Sequence, residues 1–214
     1  MFEEPDFAEI RTRIETLENQ EHRLGLMFEY LAAARASEVC GKWAYLAEHT
    51  HINEYEGKEV VVFQVQTAKR EGKLRPVALP LDPKYEPWAK PLYMYMTQKE
   101  TGKAFNYSYK TLYRAAIKAF EGLNYQIEQY IIKEEFSPEG SKTLISTHWR
   151  DLATHGLRHL RAKELVDTYQ FNGQQLATYC GWSLSSVMGG SRIADRYINL
   201  QWRDYFPKLL RKSR

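Results

Sequence analysis

The run Thr154-His155-Gly156-Leu157-Arg158-His159 carries the residues whose types and spacing bear most directly on chemistry. A histidine and an arginine three apart at a helix start lie on one face, one turn from each other. The arginine presents a planar fork that suits two phosphate oxygens. The histidine adds a hydrogen bond or moves a proton near neutral pH. Together they fit phosphate binding with proton transfer beside it. A His-x-x-Arg pair also arises by chance on ordinary surface helices, so its meaning rests on what the chain places around it.

The elements that must hold this pair follow from periodicity and punctuation. Helices are predicted at 6–18 and 20–34, the second carrying the apolar set Leu24, Leu26, Met27, Phe28, Tyr30 and Leu31. A third helix starts near Ser37, a capping residue, and carries Val39, Trp43 and Leu46. Residues 59–66, EVVVFQVQ, read as a strand, and 75–80, RPVALP, as its partner. The charged stretch TAKREGKL between them makes a basic hairpin tip. Further helices are expected at 86–98, 108–121, 123–134, 155–168, 173–180 and 200–212, with a loop at SPEGSK, 137–142. The expected class is mainly α with a small antiparallel β-sheet (α+β), in one domain over 1–214.

Composition narrows the function classes. A chain of 214 residues with 43% hydrophobic content builds one sizeable core. No segment approaches the roughly 20 apolar residues of a membrane span. The acidic start MFEEPDFAEIRTRIE lacks an apolar signal core, which argues against secretion. Cys40 and Cys180 stand far apart, outside any metal-binding spacing, and read as reduced thiols of a cytoplasmic or nucleoid-associated protein. The net charge of +3 is compatible with nucleic acid without demanding it. Basic residues gather at 69–75, 158–163 and 208–214, and such clusters are ordinarily solvated faces.

Order adds what single motifs lack. After Thr154–His159 come a helix, Asn172-Gly173, an apolar turn ending in Cys180-Gly181-Trp182, and Tyr197 fifteen residues beyond Trp182. This succession resembles the C-terminal half of the tyrosine recombinase (phage integrase) family, and the resemblance covers roughly 20–205. It implies His155 and Arg158 as the second-box pair and Trp182 in the third box, where the family has histidine or tryptophan. An indole N–H donates to a phosphate oxygen but relays no proton. The first box is matched by Arg35-Ala36-Ser37-Glu38, with Glu38 holding the fold or orienting an arginine. The family's hairpin lysine falls on Lys69, with Lys73 as the alternative. The nucleophile falls on Tyr197, in Asp195-Arg196-Tyr197-Ile198, with Tyr205 as the alternative and Tyr179 as core. Met188-Gly189-Gly190-Ser191 reads as a flexible insert that lengthens the spacing before Tyr197.

The resemblance further implies metal-independent DNA cleavage and rejoining through a 3′-phosphotyrosine intermediate, without a cofactor or a metal. It implies double-stranded DNA as partner, a homotetramer on DNA, a monomer or weak oligomer when free, and no membrane. Family members usually carry a DNA-clamping domain ahead of the catalytic one; only 34 residues precede Arg35, so that domain is expected to be absent. The tail 200–214 either links protomers or packs on its own domain. Alternatives on the same residues are a type IB topoisomerase-like relaxation of DNA and a non-catalytic DNA-binding module.

Overall fold

A computed structural model describes residues 5–70, 72–132, 143–183 and 200–210. It is mixed α+β, with eight α-helices and two antiparallel sheets among those residues. In chain order these are α1 (Phe7–Glu15), α2 (Gln20–Leu31), α3 (Ala36–Val39), β1 (Thr50–Tyr55), β2 (Lys58–Gln66), β3 (Leu74–Pro80), α4 (Ala89–Thr97) and α5 (Tyr109–Ala119). They continue as β4 (Asn124–Ile132), β5 (Thr143–Asp151), α6 (Thr154–Asp167), α7 (Gly173–Cys180) and α8 (Phe206–Leu209).

The core is built around α2. Asn19 caps it by accepting the His22 amide at 2.9 Å, and every residue from Leu24 to Leu31 is buried. Tyr107 closes over Gly25, where an added Cβ would sit 1.9 Å from the phenolic oxygen. A buried ionic cluster ties α1 to α6 and to the segment just before α4. In it Arg11 pairs with Glu86 at 2.9 Å, Tyr30 donates to Glu164 at 3.0 Å, and Arg161 pairs with Glu164.

The three-stranded sheet runs β1-β2-β3, with Val61 opposite Ile52 on one side and Leu79 on the other. Val60–Phe63 are all buried, so the central strand shows a continuous apolar run rather than alternation. Glu56 and Gly57 turn between β1 and β2 with φ of 49° and 74°, the backbone that a two-residue hairpin turn requires.

Three sequence expectations need correction. The helix expected at 123–134 is instead a strand over its described part, β4. The deciding factor is the partner strand β5, which pairs Asn124 with Asp151 through Ile132 with Thr143. The third helix stops at Val39. Cys40 leaves helical geometry, and Gly41 approaches Ser37 so closely that an added Cβ would lie 2.7 Å from its Cα. That turn carries Trp43 onto Gly72 at the hairpin tip. The expected helix 200–212 is, over its described part, a 3-10 turn at Trp202–Asp204 followed by the short α8, with Pro207 in its first turn.

The tail residues described pack on this chain. Tyr205, Phe206 and Leu209 are buried. The Tyr205 hydroxyl accepts the Ala78 amide at 3.1 Å and donates to the Pro76 carbonyl at 2.8 Å. Lys208 donates to Gln170 and Gln175, which fastens α8 to α7. Cys40 and Cys180 are free thiols, both buried. Among the described residues no helix is long and apolar enough to cross a membrane.

Candidate active site

Glu38 is the hub of the site. It is the third residue of α3, so its carboxylate folds back on the helix start and accepts the Arg35 amide at 3.0 Å. The same carboxylate accepts the Arg35 guanidinium at 2.7 Å and the Ala68 amide, just past β2, at 3.0 Å. Arg75 and Arg158 each bring a guanidinium nitrogen to 3.6 Å from it. One carboxylate of zero exposure thus gathers three arginines, from the N-cap of α3, from β3 and from α6. Burial pushes the Glu38 carboxyl up; Arg75, Arg158 and the two amides together outweigh that and hold it below the usual range.

The two inner arginines also grip main-chain carbonyls. Arg158 donates to Ala33 and, at 2.6 Å, to Cys180. Arg75 donates to Tyr179 and, at 2.8 Å, to Ala32. These carbonyls end α2 and α7, where a helix carries partial negative charge and lacks intrahelical donors. Ala33 adopts a left-handed φ of 44°, which turns the chain between α2 and Arg35. Burial first, then the neighbouring Arg75, bring Arg158 down to about 10, still protonated at neutral pH. Gly181, at φ 67°, ends α7 against Arg75 and Thr67. The chain then presents Trp182, whose ring lies 5.4 Å from the Arg158 guanidinium carbon.

The outer rim is exposed. Arg35 keeps 22% of its side chain accessible, against 4% for Arg158. His155 stands exposed in the first turn of α6, its ring 5.7 Å from His159. Burial, followed by the charges of His159, Arg158, Arg35 and Arg150, lowers the His155 pKa, so its imidazole is neutral at physiological pH. Lys69 and Lys73 are both exposed at the hairpin tip. The Ala68 amide, next to Lys69, is the one bound to Glu38, while the Lys73 carbonyl accepts the Thr67 hydroxyl at 2.9 Å.

The candidate nucleophiles separate. Tyr197 and the expected insert at 188–191 lie outside the described residues. Tyr205 is fully buried with its hydroxyl engaged on β3, and burial raises its pKa well above the usual value. Tyr179 is core, donating to Leu31 at 2.5 Å. Among the described residues, no group of three or more His, Cys, Asp or Glu is placed to hold a metal ion.

Two interior residues escaped the sequence reading. Arg75 belonged to a stretch read as a solvated basic cluster, yet it is buried, as are Arg158 and Arg161 in the second cluster. Its signal was an arginine inside the otherwise apolar LRPVALP of β3. Glu29, on α2, is fully buried with neither oxygen hydrogen-bonded among the described residues. Burial, then Glu38, raise its pKa well above the usual value against the pull of Arg158, so it sits protonated behind the arginine cluster. A cavity of about 490 Å³ lies beyond α3, lined by Cys40, Lys42, Lys103, Asn106 and Tyr107 among others. None of Arg35, His155 and Arg158 lines it, and we assign it no part in the site.

No protein-family model, curated protein or solved structure matches the chain.

Proposed function

We propose that this chain is the catalytic domain of a tyrosine recombinase, which cuts and rejoins double-stranded DNA at a backbone phosphate. The observation that carries the reading is the convergence of Arg35 and Arg158, far apart in sequence, on the single carboxylate of Glu38. Trp182 and His155 stand beside them, and the lysine-bearing hairpin is pinned to the same carboxylate through Ala68. That arrangement is what a phosphoryl-transfer centre without a metal requires: fixed cations where charge develops.

In the proposed reaction the phenol oxygen of Tyr197 bonds to phosphorus and the bond to the 5′-oxygen breaks. The phenol proton passes to the neutral imidazole of His155, and Lys69 donates a proton to the departing 5′-oxygen. Arg35 and Arg158 offset the charge on the non-bridging oxygens, and the Trp182 N–H donates to one of them. Rejoining runs the same steps in reverse, with the bond energy stored in the phosphotyrosine.

A second reading, a DNA-binding module without cleavage, has one observation in its favour. Arg158 is buried and already donates to two carbonyls. A nicked duplex that traps the covalent intermediate separates the two. Wild type is expected to give a protein–DNA adduct stable to denaturing electrophoresis, and Tyr197→Phe none. Salt-dependent binding without any wild-type adduct would leave the binding module standing. An adduct that persists in Tyr197→Phe would move the nucleophile elsewhere.

A further inference from the structure

We infer that Arg150 is an additional DNA-backbone contact, which seats a phosphate beside the one held by Arg35 and Arg158. This rests on the proposed reading of that site. Arg150 is exposed at the base of the β4–β5 hairpin, directly across from Tyr125. Tyr125 is buried against α6. An added Cβ on Gly156 would lie 2.9 Å from its ring, and its centroid is 6.0 Å from that of His159. His159 in turn stands 5.7 Å from His155. The Leu152 amide donates to the Leu123 carbonyl at 2.8 Å, which clamps the foot of the hairpin where the chain enters α6. Arg150 is thereby fixed on the His155 side of the site, and its charge is felt at both His155 and Tyr125.

Among the described residues no acidic side chain pairs with it. No hydrogen bond or ion pair to Arg150 occurs among the described residues. Its neighbour Asp151 pairs with Asn124 and so belongs to the opposite face of the ribbon. An exposed guanidinium with no carboxylate partner among the described residues, beside two histidines and a second accessible arginine, matches a phosphodiester in charge and geometry.

The test combines binding and titration on the full chain. Binding of wild type and Arg150→Ala to a short random-sequence duplex is measured across a salt series. The position of His155 is followed by its imidazole proton resonance against pH. Loss of one phosphate contact is expected to reduce the slope of log K against log salt by about 0.9, and to weaken binding about eightfold at roughly 0.1 M salt. Arg150→Ala should also raise the His155 pKa, because one of the cations that depress it is gone. Arg150→Lys should restore most of the salt slope. Should Arg150→Ala fail to fold, Arg150→Gln gives the same two readouts. An unchanged slope overturns the inference, and so does a changed slope with His155 unmoved. If wild type binds with the expected salt dependence but forms no adduct, while Arg150→Ala lowers the slope, Arg150 stands and the cleavage reading falls. Binding indifferent to salt removes both.

Discussion

Replacing Glu38 by glutamine keeps the shape of the hub and removes its charge, and the consequence depends on pH in a defined direction. In the wild type one oxygen accepts the Arg35 guanidinium and the Ala68 amide, and the other accepts the Arg35 amide and faces Arg75 and Arg158. A glutamine has one accepting oxygen, so its NH2 must face donors on one side. Arg75 and Arg158 are then buried without a counter-charge. Removing one partner of a buried pair costs about 3–5 kcal/mol, and that is the loss expected for Glu38→Gln at pH 7. The Glu38 carboxyl titrates below its ordinary value in the folded protein. Its stabilisation is therefore fully present above the unfolded value, about 4.3, and is lost as pH falls through the lower folded value, at up to about 1.4 kcal/mol per pH unit. The difference between wild type and Glu38→Gln should thus be largest near neutrality and shrink below pH of about 4. Glu164 also titrates low, but it does so in both proteins and cancels in the difference. Urea denaturation of the pair at several pH values measures this directly. A difference under about 1 kcal/mol at pH 7, far below the cost of a broken buried pair, would refute the hub. A difference that does not shrink on acidification would show that its charge is not what binds the arginines.

Other substitutions probe the same centre. Arg35→Ala should lower the rate of adduct formation on a nicked duplex by about 10²–10³-fold, with little recovery in Arg35→Lys because an ammonium cannot replace a bidentate fork. A near-normal rate would remove Arg35 from the chemistry. Gly181→Ala places a Cβ 2.6 Å from the Arg75 Cδ and 2.7 Å from the Thr67 Cγ2 at φ 67°; the left-handed backbone alone costs about 1–2 kcal/mol. The crowding adds about 1–3 kcal/mol, and a thermal melt within a degree of wild type would contradict that packing. Tyr205→Phe should lose about 1–3 kcal/mol as the β3 groups Ala78 N–H and Pro76 C=O lose their partner, yet still form the adduct. A folded Tyr205→Phe that forms none would transfer the nucleophile to Tyr205.

Local patterns carried much of this protein. The helices expected at 155–168 and 173–180 match α6 and α7, the second of which Asn172 and Gly181 bound as caps. The β2–β3 pair followed from EVVVFQVQ and RPVALP. Such features are encoded within a few neighbouring residues, where helical and strand periods write different patterns. Only the tertiary structure decided that β4 is a strand, because the choice rests on its pairing with β5, a segment distant in sequence from most of it. Only it decided that Arg75 belongs inside, and that Arg35, Arg75 and Arg158 share Glu38. Whether a charge is a solvated ornament or a buried hub depends on what water it loses and which distant groups replace that water, and both are properties of the packed chain.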